Sequence, residues 1–371
     1  MKIIYDEQIF SNQNFGGISR YFCNLIESIQ SKSIFSVKIG TVFSKNEYLN
    51  SLRTRKNFGQ TIVNSEGSYF ISHSINRIYS IFCLLFRKYD VFIPTYFNPY
   101  FLKFIQKDKP FVLTVHDMID ELFPNLNKYN KRIIKYKKKC IENATKIIAI
   151  SENTKNDIIK FYPHVADKII VIMHGYQHST SIEDQYDDNL NKKYILFVGK
   201  RDGYKNFKFM IENIASSLIE FEINLFCVGG GSWNSDEKIM LNDLNINNIC
   251  FQIDVFEESI NMYYQKALFF IYPSEYEGFG LPILESFANN CPVLLSNASC
   301  FPEIAGVSAS YFELNNQKDF KQKILELITS ELKREELIFL GKEKLLEYSI
   351  EKCCVETFRV YEAAIKNKSY L

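Results

Sequence analysis

The sequence predicts an α/β protein made of two doubly wound parallel-sheet domains that face each other across a cleft, and three observations carry that prediction. Short apolar runs suited to buried strands alternate with longer amphipathic segments over nearly the whole length, the pattern of parallel sheets covered by helices. The alternation breaks once, at the polar, Asp- and Asn-rich stretch Gln177 to Lys193, which reads as an interdomain linker. With 371 residues the chain is long for one core and comfortable for two, at roughly 150 residues per domain. The boundary falls near residue 178, with a first domain over 1–178 and a second over 179–349.

Taken in order, the apolar runs of the first half place strands at Lys2–Tyr5, Ser36–Gly40, Val91–Ile93, Phe111–Val115, Lys146–Ile150 and Lys168–Ile172. The second half restarts with Tyr194–Val198, Ile223–Val228, Ile249–Gln252, Leu268–Tyr272, Val293–Ser296 and Ala309–Phe312, and Asp319 to Ala364 is helical in pattern throughout. The most apolar window, Ile78 to Phe86, is followed by Arg87 and Lys88. It is too short to span a bilayer and reads as a core helix. In doubly wound sheets ligands gather outside the carboxyl ends of the strands, so chemistry is sought in the loops that follow strands. A dinucleotide-dependent dehydrogenase shares this architecture, but no G-x-G-x-x-G occurs and Gly229-Gly230-Gly231 lacks the spacing.

Composition narrows the function classes. Hydrophobic residues make up 46% and charged residues 23%, ordinary for a soluble enzyme. A formal net charge of +1 gives no global pull toward nucleic acid, so any electrostatic partner is met by a local patch. Nine scattered cysteines without a Cys-x-x-Cys pair point to reduced thiols in a cytoplasm rather than a disulfide frame or zinc site. The start, MKIIYDEQIF, shows neither a basic region leading a long apolar one nor a cleavage site, so secretion by that route is not expected.

The most informative stretch is PSEYEGFGLPILESFANNCPVLLSNASCFPE, Pro273 to Glu303, in which Glu277 and Glu285 are separated by seven residues that include Gly-Phe-Gly-Leu-Pro. A strand (Leu268 to Tyr272), a glycine loop and a helix opening at Pro282 follow one another. Such a junction aims free backbone N–H groups and the positive end of a helix dipole at one point, where phosphate binds. Two carboxylates beside it, one on the loop and one a turn inside the helix, can reach different parts of one ligand. A phosphate flanked by hydroxyls fits.

This stretch closely resembles the donor-site signature of the retaining glycosyltransferases of family 4, whose GT-B fold has two Rossmann-like domains. The likeness extends to Cys291-Pro292-Val293 and Phe301-Pro302-Glu303, and it spans the chain from the Gly16-Gly17 loop to a last helix, about 350–371, that in this fold packs back on the first domain. The first domain is then the acceptor-binding one and the second the donor-binding one. The resemblance implies that Glu285 holds the ribose hydroxyls and that Glu277, with the backbone of Gly278, Phe279 and Gly280, holds hydroxyls of the transferred sugar.

Other constellations gain meaning beside it. Gly16-Gly17 precedes an amphipathic helix, and paired glycines let N–H groups approach an anion closely. The family's N-terminal glycine pair has that role and also shapes the acceptor pocket. His116-Asp117 ends the fourth strand as a titratable pair at the mouth of the cleft, and the matching family histidine faces the sugar. After Tyr194–Gly199 come Lys200, Arg201 and Lys205, cations able to neutralise a diphosphate. The stretch resembles the family's diphosphate loop, in which Lys205 is joined by either Lys200 or Arg201. Gly229 to Gly231 resembles the glycine turn beneath the nucleotide, and Asp254 and Val255 stand where main-chain groups meet the base.

The implied enzyme is a retaining hexosyltransferase of cytoplasmic location that takes its sugar from a nucleotide diphosphate, with GDP-mannose first and UDP-hexoses second. Its acceptor is a glycan or lipid-linked glycan in bacterial surface polysaccharide synthesis, of the O-antigen or capsule kind. No Asp-x-Asp motif occurs, so no metal or other cofactor is expected; charge on the leaving diphosphate falls to the cations, the N–H groups of Gly17 and Leu281 and the helix dipole. A front-face route fits better than a double displacement, for which no carboxylate stands out. The rival readings are a nucleotide-sugar epimerase or hydrolase of the same fold and a non-catalytic nucleotide-sugar binder. Asn127 to Cys140 packs seven Lys or Arg residues around Ile133, Ile134 and Tyr136. Its Lys128–Lys139 segment is either a solvated helix face or a contact with anionic membrane, where each cation is worth about 1 kcal/mol.

Overall fold

In the computed structural model the described residues are 1–30, 35–54, 69–125, 130–176, 192–201, 203–254 and 260–368. They form two compact units, Met1–Gly175 with Ile350–Leu371, and Tyr176–Ser349. The stretch read as a linker, Gln177–Lys193, lies outside the described residues except at its end.

In the first unit six strands run parallel: β1 (Lys2–Tyr5), β2 (Ser36–Ile39), β3 (Val91–Ile93), β4 (Val112–Val115), β5 (Lys146–Ala149) and β6 (Ile169–Val171). The orders β2-β1-β3 and β4-β5-β6 are joined by a parallel bridge between Phe92 and Phe111. A strand covered on both faces reads as continuous apolar sequence rather than as alternation, and β4, VLTV, is buried at every residue. Successive side chains still part to opposite layers. Ile3, Tyr5, Val91 and Ile93 join the layer built by the Gly17–Gln30 helix and the last helix, Ile350–Lys368. Ile4, Phe92, Leu113 and Ile147 join the other, with Cys83 and Leu84 of the Tyr69–Phe86 helix and Cys140 and Ile141 of the Asn130–Asn143 helix.

Two expectations need correction here. Ile78 to Phe86 was expected to be a core helix, yet only one side of the Tyr69–Phe86 helix is core: Cys83 and Leu84 are buried, while Ile71, Ile78 and Phe86 are 63%, 68% and 71% exposed. The sheet face takes one stripe of the helix, and the apolar residues Ile78, Phe82, Leu85 and Phe86 of its second half are left to solvent. No helix among the described residues is long and apolar enough to cross a membrane. The basic helix is also less uniform than its composition implied. Lys131, Lys135, Lys138 and Lys139 are exposed, but Lys137 is fully buried and so is unavailable to any surface.

The second unit holds one parallel sheet of β7 (Tyr194–Val198), β8 (Asn224–Val228), β9 (Cys250–Ile253), β10 (Phe270–Tyr272), β11 (Val293–Ser296) and β12 (Ser310–Phe312) in the order β12-β11-β10-β7-β8-β9. From β7 the chain works outward one way, and from β10 the other. The carboxyl ends of β7 and β10 therefore flank a topological switch point, where the connections diverge and leave a crevice. The nine cysteines are all buried and unbonded.

Candidate active site

The residues at this switch point come from two loops that the topology sets side by side. Lys205 ends a short turn, Gly203–Lys205, after β7, and Glu277 lies on the loop after β10. Lys205 Nζ donates to Glu277 Oε1 at 2.5 Å, with the two side chains only 13% and 11% exposed. Tyr204 and Tyr272 place their rings 5.2 and 5.4 Å from the Lys205 ammonium. Burial, with Glu277 next to it, pushes the Tyr272 phenol well above its usual range, so it stays protonated. Ser299 holds the loop: its hydroxyl donates to the Glu277 carbonyl at 2.7 Å and accepts from the Glu277 N–H at 3.1 Å.

The helix expected after the glycines is Leu281–Ala288, with Pro282 in its first turn. Gly280 precedes it at φ 95°, and no side chain among the described residues caps it. A Cβ at Gly280 would stand 3.1 Å from Ile283 Cδ1 and 3.3 Å from Phe301 Cε1, so both conformation and space call for glycine. Phe279 turns inward, edge-on to Tyr348 at 5.9 Å, which leaves backbone rather than side chain for a ligand at Gly278–Gly280. Glu285, half-buried on this helix, accepts from the Tyr264 hydroxyl at 3.2 Å.

The two cations offered as companions of Lys205 part company. Lys200 is exposed. Arg201 is 3% exposed in its side chain and pairs with Glu237, Nε to Oε1 at 2.7 Å. Its Nη1 donates to the Gly229 carbonyl at 2.7 Å and its Nη2 to that of Gly231 at 2.8 Å. The glycine turn carries φ of 86°, 78° and 72° at Gly229, Gly230 and Gly231. Asp254 is exposed and accepts from Gln252 Nε2 at 2.7 Å, and Val255 lies outside the described residues.

In the first unit, Gly17 opens the Gly17–Gln30 helix. At Gly16 a Cβ would meet Gln13 Oε1 at 2.5 Å, so a side chain there would displace the end of Gln13. His116 follows β4 as expected but is buried, 6% exposed, and not an open titrating group. Its ring stacks on that of His174 at 5.6 Å and meets Tyr21 edge-on at 5.4 Å. Burial, helped by the charge of Lys137, pushes its pKa down to about 3, and burial beside His116 holds His174 well below the usual range. Both imidazoles are neutral, and His116 Nε2 has no hydrogen-bond partner among the described residues.

Sequence reasoning missed the support beneath this histidine. Lys137 Nζ donates to Glu121 Oε2 at 2.8 Å and to the Asp117 carbonyl at 3.3 Å, with Asp120 Oδ2 at 3.4 Å. Burial alone would lower its pKa, yet Asp117, Glu121 and Asp120 raise it above the usual range. One ammonium thus ties the His116-Asp117 loop to the Asn130–Asn143 helix. For His174, the available signal was its place just after β6, as His116 lies just after β4.

Comparison with known proteins gives the family and the fold. The family model described as Glycosyltransferase Family 4 matches residues 15–179, and the one described as Glycosyl transferases group 1 matches residues 179–344. The chain is 25% identical over 270 residues to O-antigen chain mannosyltransferase B of Escherichia coli, covering 68% of this chain and 70% of that protein. It is 27% identical over 215 residues to O-antigen chain mannosyltransferase RfbU of Salmonella typhimurium, 57% of this chain and 59% of that one. Among solved structures, Anabaena HepE in complex with UDP and glucose superposes with a TM-score of 0.72 at 14% identity, over 97% of this chain and 99% of that one.

Proposed function

From the premise that the chain belongs to glycosyltransferase family 4 and has the two-domain GT-B fold, we propose that it is a retaining, metal-independent hexosyltransferase that moves mannose from GDP-mannose. The acceptor is a glycan or lipid-linked glycan of a bacterial surface polysaccharide. Mannose and the pathway are favoured by the relatives, both named as O-antigen chain mannosyltransferases. A nucleotide-diphosphate donor is favoured by HepE, whose structure holds UDP and glucose.

The observation that carries the reading is the Lys205–Glu277 pair beside an uncapped helix start at the β7/β10 switch point. Departure of a nucleoside diphosphate leaves two negative charges near the broken bond. Fixed cations and a helix dipole in a poorly hydrated crevice stabilise that charge without reorganising, and each such donor contributes about 10²–10³ in rate. Lys205 and the Leu281 N–H supply this. Glu277 and the backbone of Gly278–Gly280 hold sugar hydroxyls, and Glu285 the ribose. A neutral imidazole at His116 can share a hydrogen bond with a sugar hydroxyl without adding a charge.

The test is Glu277→Ala, which abolishes transfer while nucleoside diphosphate affinity stays within a few fold. Full activity in that variant refutes the assignment. Thermal-shift screening over a panel of nucleotide sugars identifies the donor, and the anomeric configuration of the product decides retention. Incubation with donor alone separates transfer from the epimerase or hydrolase alternative, which turns over without acceptor.

The membrane contact rests on the first unit. The exposed apolar stripe of the Tyr69–Phe86 helix and the exposed lysines of the Asn130–Asn143 helix belong to elements that share one core layer. An anionic lipid surface matches both the apolar and the cationic part.

A further inference from the structure

Arg201 is the most heavily bonded cation near the donor loops. Its guanidinium meets Glu237 through Nε at 2.7 Å and through Nη2 at 3.3 Å. It also gathers the carbonyls of Gly229 at 2.7 Å, Gly231 at 2.8 Å and Ser232 at 3.3 Å, and it lies over the Trp233 ring at 4.4 Å. Glu237 is itself fixed twice, because it closes a capping box with Asn234 at the start of the Ser235–Asp243 helix. The fork is saturated, and the side chain is 3% exposed. Drawing it out to a phosphate would strand the buried Glu237 carboxylate, and a stranded buried charge is costly.

Arg201 supplies most of the hydrogen bonds that hold this turn among the described residues. Three successive glycines, all at positive φ, form the segment with the greatest backbone freedom to lose. A Cβ at Gly230 would fall 2.7 Å from Arg201 Nη1, which shows how closely the turn is wrapped on the guanidinium. The turn in turn touches the loop assigned to the base, since Gly229 N–H donates to the Ile253 carbonyl at 3.4 Å, next to Asp254. Lys200 is exposed and makes no ion pair among the described residues.

We propose that Arg201 is a positioning residue, not a ligand of the diphosphate: its guanidinium pre-forms the Gly229–Ser232 turn that carries the nucleoside, and Lys200 is the cation that joins Lys205 at the phosphates. This rests on the donor reading above and divides the labour within it. Preorganisation acts on the nucleoside part of the ligand, whereas a direct cation acts on the phosphates alone and is screened by salt.

The experiment measures calorimetric affinities of GDP and guanosine, and of UDP and uridine, at two salt concentrations for the wild type and for Lys200→Met, Arg201→Met and Arg201→Lys. Lys200→Met is expected to lower diphosphate affinity about tenfold, to leave nucleoside affinity unchanged and to flatten the salt dependence. Arg201→Met is expected to lower nucleoside and diphosphate affinities by the same factor, with the salt dependence unchanged. Arg201→Lys, which keeps charge but not the fork, is expected not to rescue. A selective loss of diphosphate affinity in Arg201→Met, or rescue by lysine, overturns the proposal. Hydrogen exchange without ligand gives an independent readout: the amides of Gly229–Ser232 exchange at least about tenfold faster in Arg201→Met, and unchanged exchange also overturns it. Should Arg201→Met not fold, Glu237→Gln is expected to give the same pattern at smaller size. A wild type that binds no nucleoside diphosphate, yet shows the exchange effect, sinks the donor reading and leaves the role of Arg201 in the turn standing.

Discussion

Acidification from pH 7 to pH 5 is expected to cost the first unit about 2 kcal/mol of stability through His116 alone. The folded imidazole has its pKa pushed from 6.5 to about 3, first by burial and then by Lys137. The unfolded chain therefore takes up a proton, as pH falls through 6.5, that the folded chain refuses until about pH 3. A depressed pKa contributes stability that is present above the unfolded value and is lost on acidification. At pH 5 the ratio of the two protonation functions is about 30, worth about 2 kcal/mol, against about 0.2 kcal/mol at pH 7. His174 acts in the same direction. Glu7 acts in the opposite one: burial, then Asp6, raises its pKa to about 8 against the pull of Arg77, so acid relieves it. Total stability is thus a poor probe, and the difference between the wild type and His116→Asn is the quantity to measure. Urea unfolding followed by far-UV circular dichroism reports both units, whereas the only tryptophan, Trp233, lies in the second unit and isolates it. In His116→Asn the loss between pH 7 and pH 5 should be smaller by about 2 kcal/mol in the transition that Trp233 does not see. Identical pH dependence in the two proteins would refute a buried neutral His116.

Three further outcomes are expected. Gly280→Ala forces a side chain to φ 95° against Ile283 and Phe301; it should destabilise the second unit by about 1–2 kcal/mol in Trp233-monitored unfolding and weaken donor binding, and wild-type stability would contradict the reading. Lys137→Met leaves Asp117, Asp120 and Glu121 without their shared cation and should cost about 3–5 kcal/mol at neutral pH, with partial recovery in Lys137→Arg; a neutral effect by circular dichroism would count against the cluster. Replacing the exposed Lys131, Lys135, Lys138 and Lys139 with Glu should release the folded protein from anionic vesicles, and retained sedimentation with them would end the membrane proposal.

What the sequence revealed and what it concealed follow from how local each determinant is. Strands such as Ile169–Val171 and Tyr194–Val198 are short β-branched or aromatic runs between turn residues, a signal held within one segment, and each lies within a residue or two of its expected place. The Glu277-to-Glu285 stretch was legible for the same reason, because strand, loop and helix start are contiguous. Lys137 was not, since its acidic partners arrive from the loop after β4. Only helical phase marked it: Asn130, Lys137 and Ile141 share the buried side, and a lysine in that register is a core position. The choice between Lys200 and Arg201 was illegible because Glu237, 36 residues away, separates two adjacent cations. The exposed side of the Tyr69–Phe86 helix was hidden because an apolar sequence states what can be buried, not how much surface is available to bury it.

The Lys205–Glu277 pair raises the question of why a site proposed for a diphosphate should hold its cation against a carboxylate. Alone, either charge would be costly at 13% or 11% side-chain exposure, and together each serves as the other's counterion; in the proposed reading the donor supplies groups for both, phosphate oxygens for the ammonium and hydroxyls for the carboxylate. If so, the two are coupled in the empty protein, and single substitutions should cost more than the double. Lys205→Met strands a buried carboxylate and Glu277→Gln an ammonium wedged between Tyr204 and Tyr272. The combination Lys205→Met/Glu277→Gln strands neither, so the cycle should show a coupling of about 0.5–3 kcal/mol in Trp233-monitored urea unfolding. Strict additivity would mean that the two charges do not lean on each other, and that the ammonium is held in place by its tyrosines alone.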